Sequence, residues 1–479
     1  MKRYIIFFLL VALVVLAETS YNAYGKVVYV SSSIGCDDND GRTEYTPFKS
    51  ITKGLEKGDT VLLRRGDVFF ESITVASKYL GAYGDGCKPA LYGWRRIIKP
   101  KWEERGKNVW SLCLTDDSVF AGYKVNKSSY ENNIGCFYEY EQDAVHGRRV
   151  RYKKELRMDW DFWQTEKHKR SELSTSDFDS LYLYLSRNPN NERIGISVSS
   201  TAIVLANGTI DGVSIKGWGF GISAGSKSII KNCRIDAIGG KQIFAENEFI
   251  SYGNGIEFYV SSNIKDCLVE NNYISRCYDC GVTIQASEKG QATPKNINVR
   301  NNLIERCCQG WEDFLRNDQN VVFENCVFEN NIVLNSGNTS GFGYPDNRFK
   351  YCHVLGNNTK GDKGMIIRNN IFVGGNFYCS GAYNGMYKSN VWQDNICIIK
   401  RGDFILGNYN GNADVIRIPL VKGAFPTLKQ ATDYEIKRYR TLTGDTSTRF
   451  IIKSEAVINR KIKKQIIYFL KNEDSSYNM

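Results

Sequence analysis

Five segments in the second half of the chain open on glycine and continue as short apolar runs: Gly221-Ile222-Ser223, Gly255-Ile256-Glu257-Phe258, Gly281-Val282-Thr283-Ile284, Gly310-Trp311-Glu312-Asp313 and Gly341-Phe342-Gly343-Tyr344. Side chains alternate across a strand, so the apolar second residue of each points inward and the third points to solvent. Ser223, Glu257, Thr283, Glu312 and Gly343 then form one outward column. Glu257 and Glu312 stand two strands apart in it, roughly 9–10 Å at ~4.8 Å per strand. Two carboxyls at such a distance suit hydrolysis of a glycosidic bond: one protonates the leaving oxygen while the other activates water, and an inverting pair is ~6.5–9.5 Å apart. Asp313 and Asp279 are the reserve carboxylates, since counting the turn before Gly310 without a gap puts Asp313 in the column instead of Glu312. Were Trp311 outward, it would stack on a sugar and raise the pKa of Glu312 by desolvation. The plainer alternative is that these acids only keep an exposed sheet soluble.

The elements that must position this column repeat. Val269-Glu270-Asn271-Asn272-Tyr273-Ile274 returns as Val299-Arg300-Asn301-Asn302-Leu303-Ile304, Phe328-Glu329-Asn330-Asn331-Ile332-Val333 and Ile367-Arg368-Asn369-Asn370-Ile371-Phe372. Apolar runs of period two flank each Asn pair, and Asn tolerates left-handed turns. Such a unit buries its apolar face only by stacking on copies of itself, and Asn at one corner of successive rungs can form an amide ladder.

This phrase resembles the right-handed parallel β-helix proteins of the pectin-lyase-like group. The resemblance extends to the entry segment: Tyr29-Val30-Ser31, Asn39-Asp40-Gly41, Pro47-Phe48-Lys49-Ser50-Ile51 and Gly58 to Asp67 are similar to the start of secreted bacterial members. It implies an all-β solenoid whose first coil is capped by a short helix at about 48–56. It also implies a secreted carbohydrate-active protein, although the group includes lyases, hydrolases, epimerases and binders. The expected organisation is a signal peptide over 1–25, a cap and first coils over 26–100, an inserted β-rich element over 101–202, β-helix repeats over 203–402 and a capping segment over 403–479. Asp159-Trp160-Asp161-Phe162-Trp163 and Leu181-Tyr182-Leu183-Tyr184 in the insertion resemble a segment of similar glycan-active proteins.

Lys2 and Arg3, the apolar stretch to Ala17 and the small residues of Ala23-Tyr24-Gly25 read as a signal peptide, with no membrane association after cleavage. The whole chain has 479 residues, 63 basic and 52 acidic groups, a net charge of +11 and 14 cysteines. This moderate positive charge favours a polysaccharide partner of acidic character and does not call for nucleic acid. Cys233, Cys267 and Cys326 recur in like settings, as do Cys277 and Cys307, so most thiols read as stacked core residues; Cys36 with Cys87 is the pair expected to form a disulfide. The rival chemistry is β-elimination on a uronate, which needs cations on the carboxylate. Arg276, Arg300, Arg306 and Lys265 near rung corners are candidates, with His146, Arg148 and the basic run through Arg149, Arg151, Lys153, Lys154 and Arg157 holding the chain. A third reading is a non-catalytic glycan-binding solenoid. No cofactor is expected and no catalytic metal, since Cys277 and Cys280 lack a second ligand pair; Asp37-Asp38-Asn39-Asp40 could hold a structural Ca2+. Nucleophile-elbow, phosphate-loop and zinc-protease motifs do not occur in the sequence.

Overall fold

The computed structural model describes residues 25–123, 132–167, 170–174, 176–245, 248–259, 264–286, 291–315, 320–337, 352–357, 364–375, 377–381, 390–401, 405–408 and 427–473. The signal-peptide reading and the Gly341–Tyr344 segment lie outside these. Three parallel sheets of ten, ten and nine strands among the described residues wrap one core. A single turn shows the logic: Lys265–Glu270 lies in the first sheet, Tyr273–Cys277 in the second and Cys280–Ala286 in the third. The next turn repeats the order with Lys295–Arg300, Leu303–Glu305 and Gln309–Leu315.

Each sheet sends one apolar residue per rung to the axis. Ile230, Val269, Val299, Phe328 and Ile367 stack from the first sheet, Ile235, Ile274, Ile304, Val333 and Phe372 from the second, and Ile222, Ile256, Val282 and Trp311 from the third. At about 1.5–3 kcal/mol per fully buried aliphatic or aromatic side chain, these columns are the main stabilising term.

The two residues of each Asn pair divide the work at the first corner. Asn271, Asn301, Asn330 and Asn369 take left-handed φ values of 55–57°. Their successors turn into the core and form the ladder: Asn272 Nδ2 donates to Asn302 Oδ1 at 3.0 Å, Asn302 to Asn331 at 3.0 Å, Asn331 to Asn370 at 3.1 Å and Asn370 to Asn395 at 3.0 Å. Each Oδ1 also accepts the backbone N–H of the preceding rung's Asn, as Asn331 Oδ1 does from Asn302 N at 2.9 Å.

Helix α1, Ile51–Lys57, caps the first coil, with Ser50 as its N-cap accepting from Lys53 N. Gly54 lets the helix lie directly on the first strand, because a Cβ there would meet Val30 Cγ2 at 2.6 Å. At the other end α2, Leu428–Thr443, buries Tyr439 over Tyr378 and Trp392. Strand Arg449–Ile452 extends the second sheet, and α3, Glu455–Glu473, packs Ile458 and Ile462 outside it.

The solenoid is interrupted between Tyr92 in the second sheet and Val198 in the third, where two five-stranded sheets close a separate core around Trp102, Leu112, Phe137, Phe162, Leu181, Leu183 and Ile196. Two rungs later a hairpin of Lys241–Ala245 and Glu248–Tyr252 leaves at the same corner. The fourteen cysteines are all free thiols, Cys36 and Cys87 among them, both exposed; the expected disulfide is absent.

The ladder separates the two residues of a pair. Asn331→Ala strands buried donors and acceptors and should cost about 2 kcal/mol in denaturant unfolding. Asn330→Gly, at a left-handed position glycine adopts freely, should change stability by less than about 0.5 kcal/mol. Equal losses from the two would contradict this division.

Candidate functional site

The third sheet sets the column. Ser223 pairs with Glu257, Glu257 with Thr283 and Thr283 with Glu312, while Ile222, Ile256, Val282 and Trp311 alternate inward. The following rung is supplied by Cys352–Asn357, with Leu355 opposite Glu312 in the register; Gly343, expected at that place, lies outside the described residues.

Glu257 is half-buried, and its Oε2 is contacted by the Tyr252 hydroxyl and by Asn254 Nδ2 at 2.8 Å. Tyr252 closes the hairpin and also reaches Gln285 Oε1 at 2.8 Å. One phenolic proton thus faces two acceptors. It serves Glu257 when that group is ionised and Gln285 when Glu257 carries its own proton. Burial pushes the Glu257 carboxyl above its ordinary value despite the opposing bonds from Tyr252 and Asn254 and the charge of Lys241. Lys241, paired with Tyr252 across the hairpin, lies 4.2 Å over the Phe220 ring and donates to Ser199 O at 2.9 Å. Burial lowers its ammonium to about 8.

Glu312 is only 4% exposed, and its Oε2 collects three donors: the Cys280 thiol at 2.9 Å, Thr283 Oγ1 at 3.1 Å and Gln285 Nε2 at 3.0 Å. Hydrogen bonds to a carboxylate favour its charged form. Gln285, two residues beyond Thr283 on the same face, therefore links the two carboxyls through Tyr252. The arrangement can give a proton from one end and take one at the other.

Residues 185–313 match the family model for the right handed beta helix region. The chain is a right-handed parallel β-helix. Among curated proteins none matches its sequence. Among solved structures the β-helix is similar to the complex structure of XylC with xylose, at 14% identity, 89% of this chain, 82% of that one and a TM-score of 0.32. It is also similar to the GH136 lacto-N-biosidase from Eubacterium ramulus, at 13% identity, 80% of this chain, 65% of that one and a TM-score of 0.31. Likeness at this level places no residue and carries no chemistry over.

Several other expected site residues do not face the column. Asp313 points into the β-helix, opposite Ile284 and Gly356, fully buried. Neither of its oxygens has a hydrogen-bond partner among the described residues, and the Asn390 side chain only partly favours its charged form. Burial, then the charge of Glu312, holds its carboxyl well above the ordinary range. Trp311 is core, packed on Phe328 at 5.3 Å, so it offers no sugar platform.

Arg276 ends a second-sheet strand and is buried against Asp236, with Nε to Oδ1 at 2.7 Å and Nη1 to Asp143 O at 2.8 Å; it seats the inserted element on the β-helix. Arg300 lies on the first sheet, bonded to Glu270 at 2.7 Å, and Arg306 bonds Glu305 at 2.7 Å. Lys265 is an exposed first-sheet residue. His146 stacks on Trp160 at 4.3 Å and bonds Glu139 at 2.8 Å, and burial lowers its pKa although Glu139 opposes this. Arg148 is bidentate to Asp161, at 2.7 Å for both bonds, and Arg149 is buried on Asn133 and Ile134. Lys265 apart, these side chains hold the fold, each with a carboxylate or carbonyl within reach on its own strand, a neighbouring strand or the preceding rung. In the Asp37–Asp40 turn, Asp37 Oδ1 accepts from Lys49 N and Ser50 N and Asp40 Oδ1 from Arg42 N and Thr46, so local donors hold one oxygen of each carboxylate.

Tyr252, Asn254, Gln285, Cys280 and Gln309 were not singled out as site residues by the sequence. Gln285 carried a signal, being two positions after Thr283, and Cys280 and Gln309 share the position before the glycine. Tyr252 carried none, since it arrives on a hairpin outside the repeat.

A raised carboxyl pKa ties Asp313 to pH. Its protonated form stabilises the fold fully below the ordinary carboxylate pKa, and this contribution is lost as pH rises towards the raised value, by about 1.4 kcal/mol per unit of the rise. Asp313→Asn should therefore gain stability over the parent protein at neutral pH and little at mildly acidic pH, measured by thermal unfolding. A pH-independent difference would contradict a neutral buried carboxyl.

Proposed function

We propose that this β-helix hydrolyses a polysaccharide along the outward face of its third sheet, with Glu257 as general acid and Glu312 as general base. The observation that carries the reading is the single column on which two carboxyls stand two rungs apart in unlike surroundings. Glu257 holds its proton above the usual carboxylate range, as an acid must, while three donors converge on Glu312. In the reaction Glu257 passes its proton to the glycosidic oxygen as the bond to the anomeric carbon breaks. Glu312 takes a proton from the water whose oxygen bonds that carbon. The two-rung spacing corresponds to the inverting geometry. With residues 1–25 acting as a signal peptide, the protein would meet its glycan outside the cytoplasm or at the cell surface.

Elimination on a uronate glycan is the second reading. It loses Arg276, Arg300 and Arg306 to ion pairs but draws support from Lys241, a buried amine held down to about 8 in electrostatic reach of Glu257.

Digestion of a panel of acidic and neutral polysaccharides separates the readings. Hydrolysis yields new reducing ends without the ultraviolet absorbance of an unsaturated uronate. Glu257→Gln and Glu312→Gln should each lower the rate by roughly 10²–10⁴. Because the acid must be protonated, the rate should fall as pH rises through the Glu257 pKa. Tyr252→Phe removes a donor to the ionised form and should move that fall to higher pH. Full activity in both Gln variants would overturn the proposal.

A further inference from the structure

Beside Glu312 lies a group of atoms that general acid–base work does not require. The Cys280 thiol is 2.9 Å from Glu312 Oε2, 3.3 Å from Gln309 Oε1 and 3.9 Å from Asp279 Oδ1. One S–H therefore faces three oxygen acceptors. The Gln309 side chain is 1% exposed and turns its Oε1 to the Cys280 thiol, while its Nε2 has no hydrogen-bond partner among the described residues. The ligand atoms of Asp279, Cys280 and Glu312 all lie within 4.8 Å of one another, near enough to close on one ion.

We infer that Asp279, Cys280 and Glu312, with Gln309 Oε1 as a fourth ligand, form a site for a thiophilic divalent cation such as Zn2+. Sulfur with carboxylate and amide oxygens suits zinc, and the mixed set is too soft and too small in ligand number for calcium. Binding replaces the thiol proton by the metal and releases that proton to solvent, so affinity rises with pH. The carboxylates of Glu312 and Asp279 beside the thiol attract a dication. Two strands, Cys280–Ala286 and Gln309–Leu315, hold Cys280, Gln309 and Glu312, with Cys280 opposite Gln309 in the register and Asp279 just before the first strand. The inference deepens the proposed function at Glu312: a carboxylate bound to zinc no longer accepts a proton from water, so the metal would be a reversible inhibitor.

Titration of the full-length protein with Co2+, a spectroscopic stand-in for zinc, tests this without a substrate. One equivalent should produce a sulfur-to-cobalt charge-transfer band that Zn2+ abolishes. Cys280→Ser should lose the band, Asp279→Asn should weaken binding, and Cys36→Ser/Cys87→Ser/Cys113→Ser, which removes the exposed thiols, should keep it. No band in the parent protein, or a band that survives Cys280→Ser and disappears with the exposed thiols, overturns the site. Cobalt binding without glycan cleavage would leave the metal site standing while the hydrolase reading falls. Cleavage without cobalt binding would do the reverse.

Discussion

In-register stacking of parallel rungs is the constraint on which every other feature depends, and the buried amide chain from Asn272 to Asn395 enforces it. A rung that slipped by one residue would exchange its core and solvent faces, sending Ile256 and Val282 outward and Glu257 and Thr283 into the axis. It would also break amide bonds that have no water to replace them. Hydrophobic columns alone would tolerate some sliding, because one aliphatic residue packs against another nearly as well as against its neighbour. The Asn at each corner does not.

On this scaffold the unusual chemistry gathers at one corner. Both excursions from the coil, the inserted element and the hairpin ending at Tyr252, leave between the second and third sheets. Asn133 Nδ2 in the first donates to Gln242 O in the second at 2.8 Å. The seat beneath them is ionic. Asp236 is held in its charged form, burial notwithstanding, by Arg276, Lys216 and Arg234, and Lys216 reaches Asp143 of the insertion at 3.1 Å. Removing one partner from such a buried set costs several kcal/mol, so the seating of the inserted element at this corner is firmly determined. The hairpin beside it supplies the Tyr252 hydroxyl that meets Glu257.

What could be read from the sequence follows the same division. The Gly-led segments and Asn pairs are periodic, and periodicity carries register, so Ser223 and Thr283 as the strand neighbours of Glu257 and the inward turn of Trp311 were legible. The side-chain partners of the arginines were not. Arg276 and Arg306 both occupy left-handed corners, with φ of 49° and 50°, and Arg276 finds its carboxylate in Asp236, one rung back and opposite Ser275, while Arg306 turns to the adjacent Glu305. Cations at rung corners look free in a linear chain and are paired in a stacked one. Asp313 misled for a different reason: a buried carboxyl in place of the aliphatic Ile284 breaks the inward pattern, and Gly356 opposite it makes the room. Tyr252 lay beyond the reach of any repeat.

The central claim is that two carboxyls placed two rungs apart work as an acid and a base with a water between them. The anomeric configuration of the first product released, followed by proton NMR during digestion of a susceptible glycan, tests it most directly. The account predicts inversion at the cleaved centre. Retention, which calls for carboxyls only ~5–5.5 Å apart, or an unsaturated product would contradict it.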